Sequence, residues 1–199
     1  MPNNWPATVS ARPLVAVIGG ASPQLATELI SLTAIESADG RGRCEATFNN
    51  WGETGSGIGY LFPDSSTFDL GNQLQARIGA VLIFTGTITA ITAAHPDGSP
   101  PVLSIAAEYL PTLRPKRRVP KSWTATVGAA LRELSIKLDF RGMTGQATAM
   151  ANGSLHNGDT VTLSGTVPRF AGRYTVSRVQ HLFDLQKGLR TEFTLFRPA

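Results

Sequence analysis

The chain has 199 residues, of which 16% are charged, and its 18 basic and 14 acidic side chains give a formal net charge of +4. A chain of this length can bury one large or two small hydrophobic cores, and its 20 glycines and 13 prolines, set among many Thr, Val, Ile and Ala residues, favour a turn-rich β protein over a helical one. The single cysteine, Cys44, excludes an internal disulfide.

The sequence carries no obvious targeting or membrane signal. The first residues, MPNNWPATVS, lack the basic-then-apolar order of a signal peptide. No apolar run approaches the ~18 residues that a membrane span requires. We therefore expect a soluble protein that is made in the cytoplasm and has no membrane partner.

The charge is unevenly divided along the chain. Residues 1–110 hold four basic and nine acidic side chains, a net charge of −5, whereas residues 111–199 hold fourteen and five, a net charge of +9. Such asymmetry is typical of a basic half that binds nucleic acid, or of unlike halves that attract each other in neighbouring copies. Two solvated surfaces of different composition are the simplest alternative.

Short strands are predicted throughout the first half. Apolar residues form a continuous run in Leu14–Ile18 and alternate with polar ones in residues 30–34, 44–48, 74–78, 81–92 and 102–107. Cys44 falls on an apolar face with no base nearby, so we interpret it as a small core residue rather than a nucleophile. Gly86 interrupts a strand pattern and predicts a bulge or the close approach of another backbone. This series argues for an antiparallel barrel or sandwich.

A glycine-rich loop separates two of these strands. Residues 49–67 contain four glycines, among them Gly55, Gly57 and Gly59. The segment lacks both the Lys-Ser/Thr pair of a phosphate-binding loop and the GxGxxG spacing of a dinucleotide site. We predict a surface loop that is able to meet a partner, and no nucleotide site.

A basic, proline-containing segment marks a domain boundary. Residues 114–122 include two prolines and five basic residues, which suit a solvated linker or arm. The prediction is a first domain over residues 1–113, this linker, and a second domain over residues 123–199. Apolar residues then recur at spacings of four, four and three, at Trp123, Val127, Leu131 and Leu134. This spacing predicts a short helix whose N-cap is Ser122 or Thr124.

The second half returns to strands, with its most specific turn chemistry in residues 153–184. The Asn157-Gly158 pair can adopt positive φ and predicts a hairpin turn. Strand patterns follow in residues 160–164 and 174–183, and others lie at 136–140, 146–151 and 191–196. Because Tyr174 and Val176 are in one phase and the later apolar residues are in the other, we predict a β-bulge near Ser177 or Arg178.

The sequence contains no recognisable group of catalytic or metal-binding residues. His95 and His156 fall in predicted turns and His181 on a strand, and none stands at metal-ligand spacing from Cys44 or another histidine. The GxSxG and HExxH motifs are both missing. His181 lies in an apolar phase, which is typical of a hydrogen-bonded core histidine. We predict no catalytic, metal-binding or cofactor-binding residues, and a protein that is not an enzyme.

A series of segments in fixed order resembles the phage late control protein D family. In the second half these segments are A-x-G-x-L-x-x-G-x-x-V-x-L-x-G at 151–165, F-x-G-x-Y-x-V-x-x-V-x-H at 170–181 and G-x-x-T-x-F at 188–193. The first half is similar at residues 44–49, 68–71, 83–88 and 100–110. That family includes the hub of contractile-tail baseplates and the hub region of VgrG spikes. The positions that carry turns and strands in this resemblance are Gly86, Gly158, Phe170, Gly172, Tyr174 and His181.

The resemblance implies a fold, an assembly and a location. It implies a mainly β chain of two small antiparallel β-barrels in tandem, with at most one or two short helices. Members form homotrimers in which three subunits present a near-sixfold ring to the tail tube, so the expected partners are a tail tube protein, a spike protein and other baseplate proteins. The expected location is the virion tail baseplate, or an extracellular injection particle, assembled in the bacterial cytoplasm. DNA can pass through such a ring without being bound specifically.

This chain departs from the family pattern in two places. Members usually carry a long insertion between the two barrel-forming parts, and many continue into a needle-like spike. Here the two parts are joined by about 30 residues, and the sequence stops after residues 196–199. The expectation is therefore a minimal hub that needs a separate spike protein.

The hub interpretation predicts which residues contact a neighbouring subunit, and two alternative functions remain. A ring with head-to-tail contacts would suit an acidic first half beside a basic second half, so we expect the basic run to reach a neighbouring subunit or partner; the run comprises Arg114, Lys116, Arg117 and Arg118. The first rival is a basic OB-like module that binds nucleic acid, although its aromatic residues fall mostly in apolar phases. The second is a tail-associated cell-wall hydrolase, although only five acidic residues follow position 110.

Overall fold

The computed structural model describes residues 4–6, 12–18, 25–109 and 118–199. Its regular structure is almost entirely β, so the prediction of a mainly β fold is confirmed. The first half contains β1 (Leu14–Ile18), β2 (Leu29–Glu36), β3 (Gly42–Asn49), β4 (Gly52–Thr54), β5 (Gly57–Gly59), β6 (Gln73–Ile78), β7 (Val81–Ala94) and β8 (Val102–Tyr109). The second contains β9 (Ser122–Thr126), β10 (Leu131–Asp139), β11 (Gly142–Met150), β12 (Thr160–Ser164), β13 (Gly172–Asp184) and β14 (Gly188–Pro198).

Helical structure is confined to two short elements in the described residues. These are the four-residue helix α1 (Leu25–Glu28) and the 3₁₀ turn Pro168–Phe170, within the one or two short helices predicted. None of the helices that the structure describes is long and apolar enough to cross a membrane.

The predicted helix around Trp123 is wrong. Trp123 lies in β9, which pairs in parallel with β12, and Leu131 begins β10 after a turn through Gly128, whose φ is 81°. The four-residue spacing of the apolar residues comes from two strands joined by a turn, and the backbone groups of β9 pair with β12 instead of with the next helical turn. Positive φ at Gly128 would also break a helix at that point.

Twelve strands form one sheet, and β4 and β5 form a separate hairpin. The main order is β1-β6-β7-β8-β3-β2-β13-β14-β11-β10, with β12 paired to β13 and β9 paired to β12. Through the described part of the chain these pairings follow an open path from β1 to β10. The expectation of two closed barrels is therefore not met by the hydrogen-bonded ladders. The sheet instead continues across the two halves, because β2 pairs antiparallel with β13 from Val179↔Glu36 to Asp184↔Ser31.

The two halves repeat one strand topology. The order β6-β7-β8-β3-β2 in the first half corresponds to β12-β13-β14-β11-β10 in the second. Register shifts occur at matching places, between Leu29 and Ser31 in β2 and between Leu131 and Glu133 in β10. The long strands match as well, with shifts between Ile88 and Ala90 in β7 and between Val176 and Arg178 in β13. The last of these confirms the bulge that the phase change near Ser177 predicted.

Each half has its own hydrophobic core. The first is built around Phe48, Leu74 and Ile105, and the second around Val161, Tyr174 and Leu195, all of them almost completely buried. The alternation that predicted the strands places these residues on one face of the sheet. The division of the cores does not coincide with the predicted linker, because residues 151, 183 and 189 pack into the first core and Trp5 packs into the second.

The segment with the most specific turn chemistry forms as a turn and a pair of strands. Gly158 has φ of 82° and its N–H donates to the carbonyl of Val176 at 2.8 Å. β12 then pairs antiparallel with β13 from Thr160↔Thr175 to Leu163↔Gly172, as predicted. The Asn157-Gly158 turn precedes β12, however, and does not join the two paired strands. Their connection contains the 3₁₀ turn Pro168–Phe170.

Candidate functional site

The titratable residues that could suggest catalysis have structural surroundings. Cys44 is fully buried, and burial, together with the nearby Glu45 carboxylate, raises the pKa of its thiol to about 12. His181 is buried with Nδ1 3.0 Å from the Thr191 hydroxyl. Burial, and to a smaller degree the charge of His156, lowers the pKa of His181 to about 3. Both side chains are therefore neutral at physiological pH, and both were predicted as core residues.

The structure groups few metal-ligating or nucleophilic side chains. Among the described residues no cluster of three or more His, Cys, Asp or Glu side chains could hold a metal ion. His95 lies at the surface with Nε2 3.0 Å from the Tyr60 hydroxyl. His156 lies at the contact of the two halves, where Nδ1 is 2.7 Å from a Glu36 carboxylate oxygen. Each histidine thus has a separate partner, and the three do not converge.

The basic segment is fixed at its C-terminal end by a buried carboxylate that sequence reasoning did not single out. Asp159 is fully buried and accepts two hydrogen bonds from the Arg118 guanidinium, at 2.7 and 3.1 Å. It also accepts from the Lys121 N–H at 2.7 Å, the Trp123 Nε1–H at 2.9 Å and the His156 N–H at 3.1 Å. Burial raises the pKa of Asp159, but these hydrogen bonds outweigh it and leave the pKa below its usual value.

Only part of the predicted interface run can be placed. Arg114, Lys116 and Arg117 lie outside the described residues, and Arg118 makes the internal ion pair with Asp159. The Arg118 side chain nevertheless remains 35% exposed. Asp159 therefore anchors the start of the second half at a defined place, beside the contact between the two cores.

The strand and turn positions that the resemblance singled out have close structural contacts. Gly86 lies where a Cβ atom would be 2.7 Å from the Glu108 carbonyl oxygen, so the predicted close approach of another backbone is confirmed. Gly172 has φ of 125°, and a Cβ atom there would be 2.6 Å from Arg197. The Tyr174 hydroxyl donates to the Phe170 carbonyl at 2.8 Å, and the Arg197 guanidinium lies 4.7 Å from the Tyr174 ring centre. Gly86 thus shapes the first half, and Gly172, Tyr174 and Arg197 shape the second, without forming a chemical site.

The glycine-rich segment is an ordered hairpin with exposed aromatic side chains. β4 and β5 pair from Gly52↔Gly59 to Thr54↔Gly57. Trp51 and Tyr60 flank the hairpin with their rings 5.2 Å apart, and Ile58 at its outer side is 76% exposed. No phosphate-binding chemistry accompanies them, because the segment contains no basic residue. It is a projecting surface suited to a protein partner.

The face of the main sheet opposite the cores is polar and continues across both halves. Where β2 meets β13, this face carries Thr33 and Gln180, and it extends through Thr47 in one direction and Thr194 in the other. In the second half it forms an open groove of about 310 Å³. The groove is lined by uncharged polar residues, by the charged Glu133, Arg178 and Glu192, and by the apolar Leu134, Ala147 and Phe193. Ile35 and Leu182 also lie on this face where β2 meets β13, so the surface is mainly polar with an apolar pair at the contact of the two halves.

Comparison with known proteins gives structural matches only. No protein family model matches the sequence, and no curated protein matches it. Among solved structures, a tail protein from Neisseria meningitidis MC58 has a TM-score of 0.63 at 9% identity, covering 94% of this chain and 96% of that one. The 43 kDa tail protein of prophage MuSo2 from Shewanella oneidensis has a TM-score of 0.66 at 7% identity, covering 94% and 98%.

A secretion-system protein shares the same architecture. It is an Escherichia coli component of the type VI secretion system that is structurally similar to the T4 bacteriophage tail proteins gp27 and gp5. Its TM-score is 0.62 at 9% identity, and the match covers 94% of this chain and 77% of that one. Identities this low establish similarity of fold. The chain therefore has the fold that these phage tail and type VI secretion proteins share, over nearly its whole length.

Proposed function

We propose that this protein is a structural hub of a contractile phage tail or a related injection system, in which three copies form a ring that connects the tail tube to a central spike. The observation that carries the proposal is the near-complete match of its fold to two phage tail proteins and a type VI secretion component, over 94% of the chain. A role without catalysis accords with the structural surroundings of Cys44 and His181.

The duplicated topology supports a ring of three chains that has approximate sixfold symmetry. Each chain contributes two similar five-stranded units, joined through β2 and β13 into one sheet. Three chains would therefore contribute six such units, the number needed to meet a sixfold tube. The polar face that runs across both units would suit a wall that lines an aqueous passage, because it carries Ser, Thr and Gln side chains.

Charge supports a head-to-tail arrangement. The first half is acidic and the second is basic, so contacts between unlike halves of neighbouring copies gain from opposite charge. Such heterologous contacts close into a ring when the rotation between copies allows it. We extend this to the basic segment, in which Arg114, Lys116 and Arg117 would reach the acidic half of a neighbour or partner.

The proposal is tested by the mass of the assembly in solution. Native mass spectrometry and light scattering on the protein, alone and mixed with the tube and spike proteins of the same particle, should give a trimer that binds both. Reversing the charge of Arg114, Lys116 and Arg117 together should weaken the trimer and reduce its salt dependence. Arg118 is left unchanged because its ion pair with Asp159 belongs to the fold.

Two further assays, of nucleic-acid binding and of peptidoglycan cleavage, separate the rival functions. A monomer that binds single-stranded nucleic acid with an affinity that falls steeply with salt would favour the nucleic-acid-binding module. Peptidoglycan cleavage that is lost on substitution of particular Asp or Glu residues would favour the hydrolase. A protein that stays monomeric beside both tube and spike would overturn the hub.

A further inference from the structure

Several strand edges in the main sheet pair with no other described strand, and two of them belong to β10 and to the end of β7. β10 is the last strand of the sheet and pairs along one side only, with β11. β7 is covered by β6 as far as Thr87, and from Ala90 to Ala94 it pairs along one side only, with β8. Open edges of this kind present rows of unpaired N–H and C=O groups that readily accept another strand.

The free edge of β7 lacks the usual protection against pairing. Residues 90–94 read AITAA and contain no charge and no proline, and most of these residues are exposed. Natural edge strands that must stay unpaired are commonly protected by lysine, proline or a covering loop. On β10, Leu138 remains 39% exposed at the open side of the second core. The β7 edge therefore has the character of a strand that acquires a partner, and β10, although it carries Lys137, leaves the apolar Leu138 exposed beside its free edge.

The chain contains an internal precedent for how these edges pair. In the duplicated topology β10 corresponds to β2, since the register shift at Leu131 and Glu133 matches the one at Leu29 and Ser31. β7 corresponds to β13, since the shift at Ile88 and Ala90 matches the one at Val176 and Arg178. Within one chain, β2 and β13 are joined antiparallel, beyond the bulge of β13.

We infer that β10 of one copy pairs antiparallel with residues 90–94 of β7 in a second copy, as β2 pairs with β13 inside each chain. The internal pairs include Glu36↔Val179 and Thr33↔Leu182. Transferred through the equivalent positions, they give the register across the two copies: Leu138↔Ile91, Lys137↔Thr92, Ile136↔Ala93 and Ser135↔Ala94.

The side chains on the two strands suit this register. Leu138 and Ile136 project from the core face of β10 and meet Ile91 and Ala93, which are likewise apolar, so the contact extends a hydrophobic layer between the copies. On the other face the exposed Lys137 lies opposite the polar Thr92. No like charges face each other in these four pairs.

One chain cannot make this contact with itself along the sheet. Six strands separate β7 from β10 in the sheet order, namely β8, β3, β2, β13, β14 and β11. The contact is therefore heterologous, with different surfaces on the two copies, and it repeats from copy to copy until a ring closes. The inference rests on the proposed ring and specifies how neighbouring copies are joined in it. Around the six units, β2·β13 pairs within a chain would alternate with β10·β7 pairs between chains.

Disulfide trapping tests the register directly. The double variant Lys137→Cys with Thr92→Cys places two thiols on residues that would lie opposite across the junction, at the Cα separation that a disulfide tolerates. Cys44 gives little background because it is buried and its thiol has a raised pKa. The matched control is Lys137→Cys with Thr85→Cys, since Thr85 lies on the same strand where β6 already covers it.

Under mild oxidation we expect the first double variant to give covalent dimers and trimers on denaturing gels, at least tenfold more than the control. Equal cross-linking of the two double variants, in a preparation whose wild-type protein is oligomeric, would overturn the junction and leave the hub proposal standing. A wild-type protein that stays monomeric alone at high concentration would also overturn the junction. In that case trimer formation with tube and spike proteins would decide the hub separately.

Charged substitutions at the junction provide a second test, which measures the strength of association without a cross-link. Ser135 and Ala94 are exposed and predicted to lie opposite each other, so substituting both with Glu should weaken association by roughly two- to tenfold per contact. Ser135→Lys with Ala94→Glu should restore it. A double Glu variant that associates as tightly as the wild type would contradict the register.

Discussion

Removing the Asp159 carboxylate is the perturbation that should affect the fold most clearly. In the variant Asp159→Ala, the Lys121 and His156 N–H groups and the Trp123 indole N–H would lose their acceptor, and Arg118 would lose its ion partner. Leaving a buried N–H donor without its acceptor typically costs about 1–3 kcal/mol, whereas the Arg118 side chain is partly exposed and can be solvated. Since a domain has only ~5–15 kcal/mol of stability in total, much of the fold's margin would be lost.

Urea denaturation followed by tryptophan fluorescence would measure this loss, because Trp123 contacts Asp159 directly. The control is Asp39→Ala, which removes an exposed ion pair with Arg41 and should cost less than ~1 kcal/mol. The lowered pKa of Asp159 means that the unfolded chain binds its proton first as the pH falls. The stabilisation from Asp159 should thus be complete above about pH 4 and be lost as the pH falls below it. A loss of less than ~1 kcal/mol in the free energy of unfolding of Asp159→Ala would show that the buried carboxylate is not important for stability.

Three further predictions follow from buried positions. Gly86→Ala would place a Cβ atom 2.7 Å from the Glu108 carbonyl oxygen and should cost about 1–3 kcal/mol by denaturation, whereas Gly55→Ala, with open space around it, should be nearly neutral. His181, with a pKa of about 3, should show no NMR titration between pH 5 and 8. Because the unfolded chain lets this histidine take up a proton, the free energy of unfolding should fall as the pH drops below about 6.5. The fall should be smaller in the variant His181→Gln. The buried Cys44 thiol should resist iodoacetamide at pH 8 until the protein is unfolded, and rapid labelling of the folded protein would contradict its burial.

The strands were predictable because their hydrophobic alternation is a local property. The bulge near Ser177 could be predicted for the same reason, since a phase change between Val176 and Val179 requires one extra residue. The helix around Trp123 was wrong because a spacing of four also arises when a strand, a turn and another strand follow each other. In that region, pairing of β9 with β12, which is distant in sequence, decided the structure.

The duplication and the sheet edges could not be predicted from single segments. The repeated units share only a faint sequence signal, as in residues 87–91 (TITAI) and 175–179 (TVSRV), which occupy matching places in β7 and β13. Only the pairings show that these strands are equivalent. The role of Asp159 was also hidden, because its partners Arg118 and Trp123 lie about forty residues away in sequence, and Arg118 belongs to the segment predicted to be a solvated linker.

Native mass spectrometry of the purified protein with its tube and spike proteins tests the central claim most directly. We expect a trimer that binds both partners and whose β10·β7 junction cross-links in the predicted register. A protein that remains monomeric in the presence of both partners would rule out a trimeric hub.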